Sequence, residues 1–289
     1  MSVKFIAEVS SNHNQDLERS LKFVEVAADC GFDAVKFQLF KVEELFSSEA
    51  IAHNPDINKR KKWELPVSFL EPLANRTLEL GMEFSCTPFY IDAVDSLEPF
   101  VDFYKIASYE LLWHDLLFKC ATKGKPIVLS TGMANLEEID LAVSAVKIKF
   151  PEIDLSLLHA VSSYPAPIDE CNLKAIAEIR DRYGVVTGWS DHTINPGVIN
   201  ASIFSHGAEI IEMHLDLDGL GAEFESGHCW MPQDAKDVIK SARDGIMASS
   251  GSGIKLPTPA EMPDREWRAD PSDGLRPLIS KRNWLSKNS

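Results

Sequence analysis

Short apolar, β-prone stretches alternate along the chain with longer segments of helical periodicity, and the alternation recurs eight times. The stretches are VKFIAEVS (3–10), AVKFQLF (34–40), MEFSCTPF (82–89), FYKIASYE (103–110), PIVLSTGM (126–133), LSLLHAVSSYP (155–165), VVTGWSDHT (185–193) and EIIEMHLD (209–216). After the first, DLERSLKFVEVAADCG places Leu17, Leu21, Val24 and Ala28 on one helical face and stops at Gly31. Asn135 with Glu138 three residues on has capping-box spacing. Gly81, Gly124 and Gly184 stand just before strands, where a left-handed residue closes a helix, and Pro232 suits a first helical turn. Short buried strands separated by helices predict a parallel sheet, because a parallel pair needs a long crossover. Eight such units predict an α/β fold of the (β/α)8 TIM-barrel type, with its active site at the C-terminal strand ends. Glu8, Lys36, Thr87, Lys105, Ser108, Ser130, Tyr164, His192 and His214 fall at or near those ends.

Two segments break the repeat. Residues 41–64 form a long insert after the second strand, and such loops commonly build or cover a pocket. Residues 251–289 are rich in Gly, Pro and charge, so the expected division is a barrel over 1–250 and an extended C-terminal tail over 251–289. A formal charge of −15 argues against nucleic acid and anionic membranes as partners. It leaves room for an anionic substrate gathered by a few lysines in one pocket. The run Lys59–Arg60–Lys61–Lys62 lacks interleaved aromatics and reads as a solvated face. Five scattered cysteines with no C-x-x-C pair read as reduced thiols. With neither a signal-peptide pattern nor an apolar run of roughly 18 residues, the expected location is the cytoplasm.

Lys36 and Lys105 lie inside apolar runs, where a lysine is rarely buried without a counter-charge. Two aimed into one barrel mouth fit a bound anion, a Schiff base, or pairing with carboxylates. The nearby hydroxyls of Thr87, Ser108, Ser130 and Thr131 suit a phosphate or carboxylate best. His192 and His214 end adjacent strands with acidic neighbours in sequence, a donor set for Mn, Fe, Co or Zn as well as for a structural role. Glu8, within FIAEV, is either a proton-transfer carboxyl with raised pKa or a lysine partner. His13 reads as a loop-ordering residue.

Taken in order, AEVSSNHN, AVKFQLF, SCTPF, YKIASYE, GKPIVLSTGM, LLHAVSSYPAP, GWSDHT and EMHLDLD resemble the blocks of the sialic acid synthase family over roughly residues 3–218. That family contains the N-acetylneuraminate, legionaminate and pseudaminate synthases. The resemblance implies a (β/α)8 barrel that condenses phosphoenolpyruvate with an open-chain aldose, an N-acylhexosamine or hexose, to give a nonulosonic acid and phosphate. It implies a divalent metal, Mn first with Mg or Co as alternatives, and a possible homodimer. Lys36, Lys105, Ser108, Ser130 and Thr87 would hold phosphoenolpyruvate. Ser162, where some members have asparagine, and Tyr164 would line its contact with the sugar, and Gln38 would meet sugar hydroxyls. Ser190 joins the substrate-binding set, His192 and His214 would bind the metal, and Glu8 would manage protons. The resemblance also exposes departures. The family's Glu-Lys-His is Glu212-Met213-His214 here, and its Asp-His-x-x-Ser stretch is replaced by GLGAEFESGHCWMP. Glu223 is the stand-in for that aspartate. His228 and Cys229 are either added soft ligands or ordinary loop residues. The family's antifreeze-like domain, which supplies a sugar-binding arginine, is expected to be absent, with Arg265, Arg268, Arg276 and Arg282 as substitutes. A metal-dependent pyruvate-type aldolase or lyase and a non-catalytic sugar-binding barrel are the rival expectations.

Overall fold

Eight parallel strands close into a barrel in strict chain order: β1 (Lys4–Glu8), β2 (Ala34–Leu39), β3 (Glu83–Pro88), β4 (Phe103–Ile106), β5 (Ile127–Ser130), β6 (Leu155–Ala160), β7 (Thr187–Asp191) and β8 (Ile210–His214). The closing seam pairs Phe5 with Ile211 and Glu8 with His214. The computed structural model describes residues 2–288.

The period of two along each strand decides what enters the barrel. Odd-numbered residues of β1, β2 and β8 such as Phe5, Val35, Phe37, Ile211 and Met213 join the main core between sheet and helices. Their neighbours Ile6, Ala34, Phe103, Val128, Leu158 and Ile210 form a second, separate apolar cluster inside the barrel. Gly188 completes that layer, because a Cβ there would lie 2.1 Å from the Ile210 carbonyl oxygen and 2.7 Å from Leu158 Cδ2. Two residues further along the same strands the interior turns polar: Glu8, Lys36, Lys105, Ser130, Ser190 and Glu212, all buried. An apolar plug therefore carries a charged layer, which opens toward the C-terminal strand ends.

The crossovers begin with α1 (Leu17–Cys30), and β2 is followed by α2 (Val42–Leu45), α3 (Ser48–His53) and α4 (Leu70–Glu79). Then come α5 (Ile91–Leu97), α6 (His114–Ala121), α7 (Leu136–Lys149), α8 (Lys174–Tyr183), α9 (Pro196–Phe204) and α10 (Pro232–Ser249). The Asn135–Glu138 capping box is present, and Gly31, Gly81, Gly124 and Gly184 all take positive φ. The buried stripe of α1 is Ser20, Phe23, Val24, Ala27 and Cys30, so the expected stripe through Leu17, Leu21 and Ala28 is corrected to the flank of the true one. The insert is helical and not a loop: α2, α3 and a 3-10 segment over Pro55–Trp63. Glu64 accepts from the Val42 amide at 2.7 Å, and Gln15 donates to the Lys61 and Glu64 carbonyls at 2.9 Å, tying the insert to the loop after β1.

The chain divides into two units, Met1–Met247 and Ala248–Ser289. The second holds short 3-10 turns at Pro259–Glu261 and Arg265–Trp267 and the helix α11 (Ile279–Asn288). Asp270 organises it, accepting from the Ile279 amide at 2.8 Å and from Ser272, and Arg282 forks onto Asp273. All five cysteines are buried and free. Among the described residues no helix is long and apolar enough to cross a membrane.

Candidate active site

A cavity of about 740 Å³ opens at the C-terminal strand ends. The insert supplies Leu45, Phe46, Arg60 and Trp63 to its wall, and the loop after β8 supplies Ala222, Glu223, Ser226 and His228. Phe40, Phe89, Tyr109 and Tyr164 make the remaining wall strongly aromatic. The expectation that the insert builds the pocket is met, through side chains that composition did not single out.

Below the cavity lies a chain of alternating charges. Lys36 is in direct contact with Glu8, donates to Thr87 Oγ1 at 3.1 Å and lies 3.8 Å from Glu212 Oε2. Glu212 Oε1 lies 3.6 Å from Lys105 Nζ and accepts from Ser190 Oγ at 2.8 Å. Burying ions costs several kcal/mol each unless they are paired, and here each lysine has a carboxylate. Burial pulls the Lys36 ammonium down to about 8, with Glu212 opposing. Burial pushes the Glu212 carboxyl up, but Lys105 and Lys36 outweigh it and hold the group below the usual carboxylate range. Gln38 donates to Glu8 Oε1 at 2.9 Å and to Ser10 Oγ at 2.8 Å, fixing the Glu8 carboxylate from above.

Hydroxyls gather beside this layer. Gly132 donates its amide to Ser108 Oγ at 3.0 Å, and a Cβ on Gly132 would come within 2.8 Å of Ser108 Oγ and 2.4 Å of Ser162 Oγ. Ser108 and Ser162 thus converge on one backbone position that only glycine leaves open. Ser130 Oγ and Ser162 Oγ are buried with no hydrogen-bond partner. Buried hydroxyls without partners are uncommon and mark a place where an acceptor belongs.

Three imidazoles and a carboxylate stand at the mouth. His214, Glu223 and His228 present donor atoms that all lie within 4.8 Å of one another. The rings of His192 and His214 are 5.2 Å apart, and Tyr164 lies 4.3 Å from His192 and 4.9 Å from His228. His192 Nδ1–H donates to the Val161 carbonyl at 2.7 Å, leaving Nε2 as the lone-pair nitrogen. Burial, then neighbouring His214, pulls His192 down to about 3, and burial lowers His214 as well. Neutral imidazole is the form that binds metals. The donors present therefore fit a divalent cation.

The sequence profile of the NeuB family matches residues 23–255. The chain belongs to the NeuB family. It is 34% identical over 268 residues to the N,N'-diacetyllegionaminic acid synthase of Campylobacter jejuni, spanning 89% of this chain and 80% of that one. It is 35% identical over 258 residues to the pseudaminic acid synthase of Helicobacter pylori, spanning 85% and 75%. The solved N-acetylneuraminic acid (sialic acid) synthetase of Leptospira borgpetersenii serovar Hardjo-bovis, in complex with citrate, superposes with a TM-score of 0.80 at 30% identity, over 94% and 93% of the two chains.

Within this NeuB-family barrel several sequence expectations change. Met213, where the lysine was expected, is fully buried in the main core between sheet and helices. Asp191, the acidic neighbour of His192 in sequence, accepts from Trp189 Nε1, Trp230 Nε1 and Thr193 Oγ1. Ser190 faces Glu212, and Cys229 accepts from Asn12 Nδ2 at 3.5 Å. His13 Nδ1 accepts from the Gln15 amide, as a loop-ordering residue does. The run Lys59–Arg60–Lys61–Lys62 is exposed throughout, as a solvated face is, and Arg60 also lines the cavity, its guanidinium over Phe46 at 5.4 Å and Trp63 at 5.5 Å. Glu110, not singled out in the sequence, lines the cavity with Oε2 buried and unpartnered, and burial pushes its carboxyl up to about 7 against the pull of Lys105. Glu212 was noted only as a neighbour of His214. Its place two residues beyond the interior Ile210 was the available signal.

Proposed function

We propose that this protein condenses phosphoenolpyruvate with the aldehyde of an open-chain aldose, an N-acylhexosamine or hexose, to give a nonulosonic acid and inorganic phosphate. The observation that carries the reading is the pair of buried lysines below the cavity, each paired with a carboxylate, beside the unpartnered hydroxyls of Ser130 and Ser162. A charged site prepared in low dielectric stabilises an anion without reorganising during the reaction. Lys36, Lys105, Thr87, Ser108, Ser130 and Ser162 hold the phosphate and carboxylate, and the wider mouth with Gln38 and Tyr164 takes the sugar.

C3 of phosphoenolpyruvate bonds to the aldehyde carbon, water adds at C2, and the C2–O bond to phosphate then breaks. The aldehyde oxygen gains a proton while the attacking water loses one, so a carboxyl group can relay it. Glu8 lies deepest, fixed by Lys36 and Gln38. Glu110, near neutral pKa in the cavity wall, is the second candidate. A divalent cation, Mn in this reading with Mg or Co as alternatives, would be held at His214 beside His192 and would polarise the aldehyde oxygen. Ser190 acts through Glu212. The barrel works as a cytoplasmic enzyme, and a homodimer is its proposed assembly.

The deciding assay is phosphate release from phosphoenolpyruvate with a panel of hexoses and N-acylhexosamines, products identified by mass spectrometry. Aldose-dependent release with a new acid of the summed carbon skeleton is expected. Product formation from pyruvate in place of phosphoenolpyruvate would move the protein to the aldolase class.

A further inference from the structure

We infer that the loop after β8 adds ligands to the histidine that ends the strand: His214 Nδ1, Glu223 Oε2 and His228 Nε2 form one site for a divalent first-row transition metal. Glu223 Oε2 lies 3.4 Å from His214 Nδ1 and 3.5 Å from His228 Nε2. These separations are long for a hydrogen bond. They match two donors that each sit about 2.0–2.2 Å from one ion at a near-tetrahedral angle. Both His228 ring nitrogens and His214 Nδ1 are buried without a hydrogen-bond partner. Both residues are more than nine-tenths buried, so water does not satisfy them cheaply.

The carboxylate is aimed before any ion arrives. Its other oxygen accepts from Ser10 Oγ at 2.7 Å, and its amide donates to Asn12 Oδ1 at 2.8 Å. Asn12 in turn donates to the Leu215 carbonyl at 3.0 Å, next to His214. The turn that brings His228 round needs Gly227 at φ 73°. Gly221 packs against Asp216 and Asn12 so closely that a Cβ would lie 2.3 Å and 2.5 Å from their side-chain oxygens. Two imidazoles and one carboxylate leave open positions for substrate and favour Mn, Fe, Co or Zn over the all-oxygen preference of Mg. The reading rests on the proposed reaction only for the ion's use, and the ligand set stands on geometry alone.

Protein stripped with chelator is titrated with Mn2+, and unbound ion is counted by its six-line electron paramagnetic resonance signal. One ion per chain is expected, retained against a large excess of Mg2+, with nitrogen couplings from two imidazoles in the pulsed spectrum. His228→Ala and Glu223→Gln should each weaken Mn2+ binding by more than the ~10–100-fold that loss of an outer partner costs. Glu223→Gln keeps an acceptor for Ser10 and the shape of the side chain, so its loss of metal is not a loss of loop structure. Parent-like Mn2+ binding in both variants overturns the ligand set while leaving the condensation to be decided separately by phosphate release. Displacement of Mn2+ by equimolar Mg2+ overturns the transition-metal preference.

Discussion

Ser10 donates its hydroxyl proton to Glu223 Oε1 at 2.7 Å across 213 residues of chain, joining the first strand's loop to the last strand's loop. The hydroxyl frees the other carboxylate oxygen to face His214 and His228. Ser10→Ala should therefore weaken Mn2+ binding by about tenfold, the cost of an outer-shell partner. Isothermal titration would measure it, and an affinity equal to the parent's would show that Glu223 needs no such support.

The charge chain predicts a stability effect separable from binding. Lys105→Met leaves Glu212 with only the more distant Lys36, and breaking a buried pair costs about 3–5 kcal/mol. Adding Glu212→Gln should recover most of that in urea unfolding, while phosphoenolpyruvate affinity stays lost. A double variant that binds phosphoenolpyruvate as the parent does would return Lys105 to a purely structural role.

Gly132→Ala tests the serine cluster. The added methyl would displace the Ser108 and Ser162 hydroxyls, which turn aside by rotation, so the melting temperature should change little. The KM for phosphoenolpyruvate should rise roughly tenfold, the equivalent of about one lost hydrogen bond. An unchanged KM would remove both serines from the anion site.

Glu110 sets a pH dependence. Its folded pKa of about 7 exceeds the ordinary 4.5, so between those values the native state holds a proton that the unfolded state has released. Its stabilising contribution is complete below about pH 4.5 and is lost as pH rises toward and through 7. Glu110→Gln should abolish that slope and gain on the order of 3 kcal/mol over the parent at pH 8. Identical pH–stability curves for the two proteins would mean the carboxyl titrates normally.

Trp63 supports Arg60 at the wall. Trp63→Ala should raise the KM for the aldose roughly tenfold, as loss of an aromatic anchor does. The KM for phosphoenolpyruvate should not move, because the insert does not reach the lysines. Equal rises in both constants, read from two-substrate kinetics, would count against a divided cavity.

The barrel was legible because strand alternation and helix stops are local. Glu8, Lys36, Lys105 and Ser130 could be read because each stands at an interior position, two residues beyond Ile6, Ala34, Phe103 and Val128. The α1 stripe is displaced because counting from Leu17 gives an equally regular face that leaves out the buried Phe23. Ser20 is buried by bonding back to the Asp16 carbonyl, which hides its polarity from a periodicity count. The basic run reads as solvent-facing and is exposed, but only the 3-10 turn lays Arg60 on two aromatic rings beside the cavity, which composition does not show. The ligands Glu223 and His228 sit in a segment with no period, where pairing depends on contacts to Ser10 and Asn12 far away in sequence.

The plug of Ile6, Ala34, Phe103, Val128, Leu158 and Ile210 turns the barrel into a blind well. Whatever reaches the lysines arrives and departs by the one mouth, past the histidines and the aromatic wall. If the lysines hold the small anion as proposed, it is seated before the sugar, since a sugar already in the neck would bar its path. Phosphate formed at the bottom is trapped behind the product until the product clears the rim. On that reading, the order of a two-substrate reaction follows from six apolar side chains that lie beneath the charged layer.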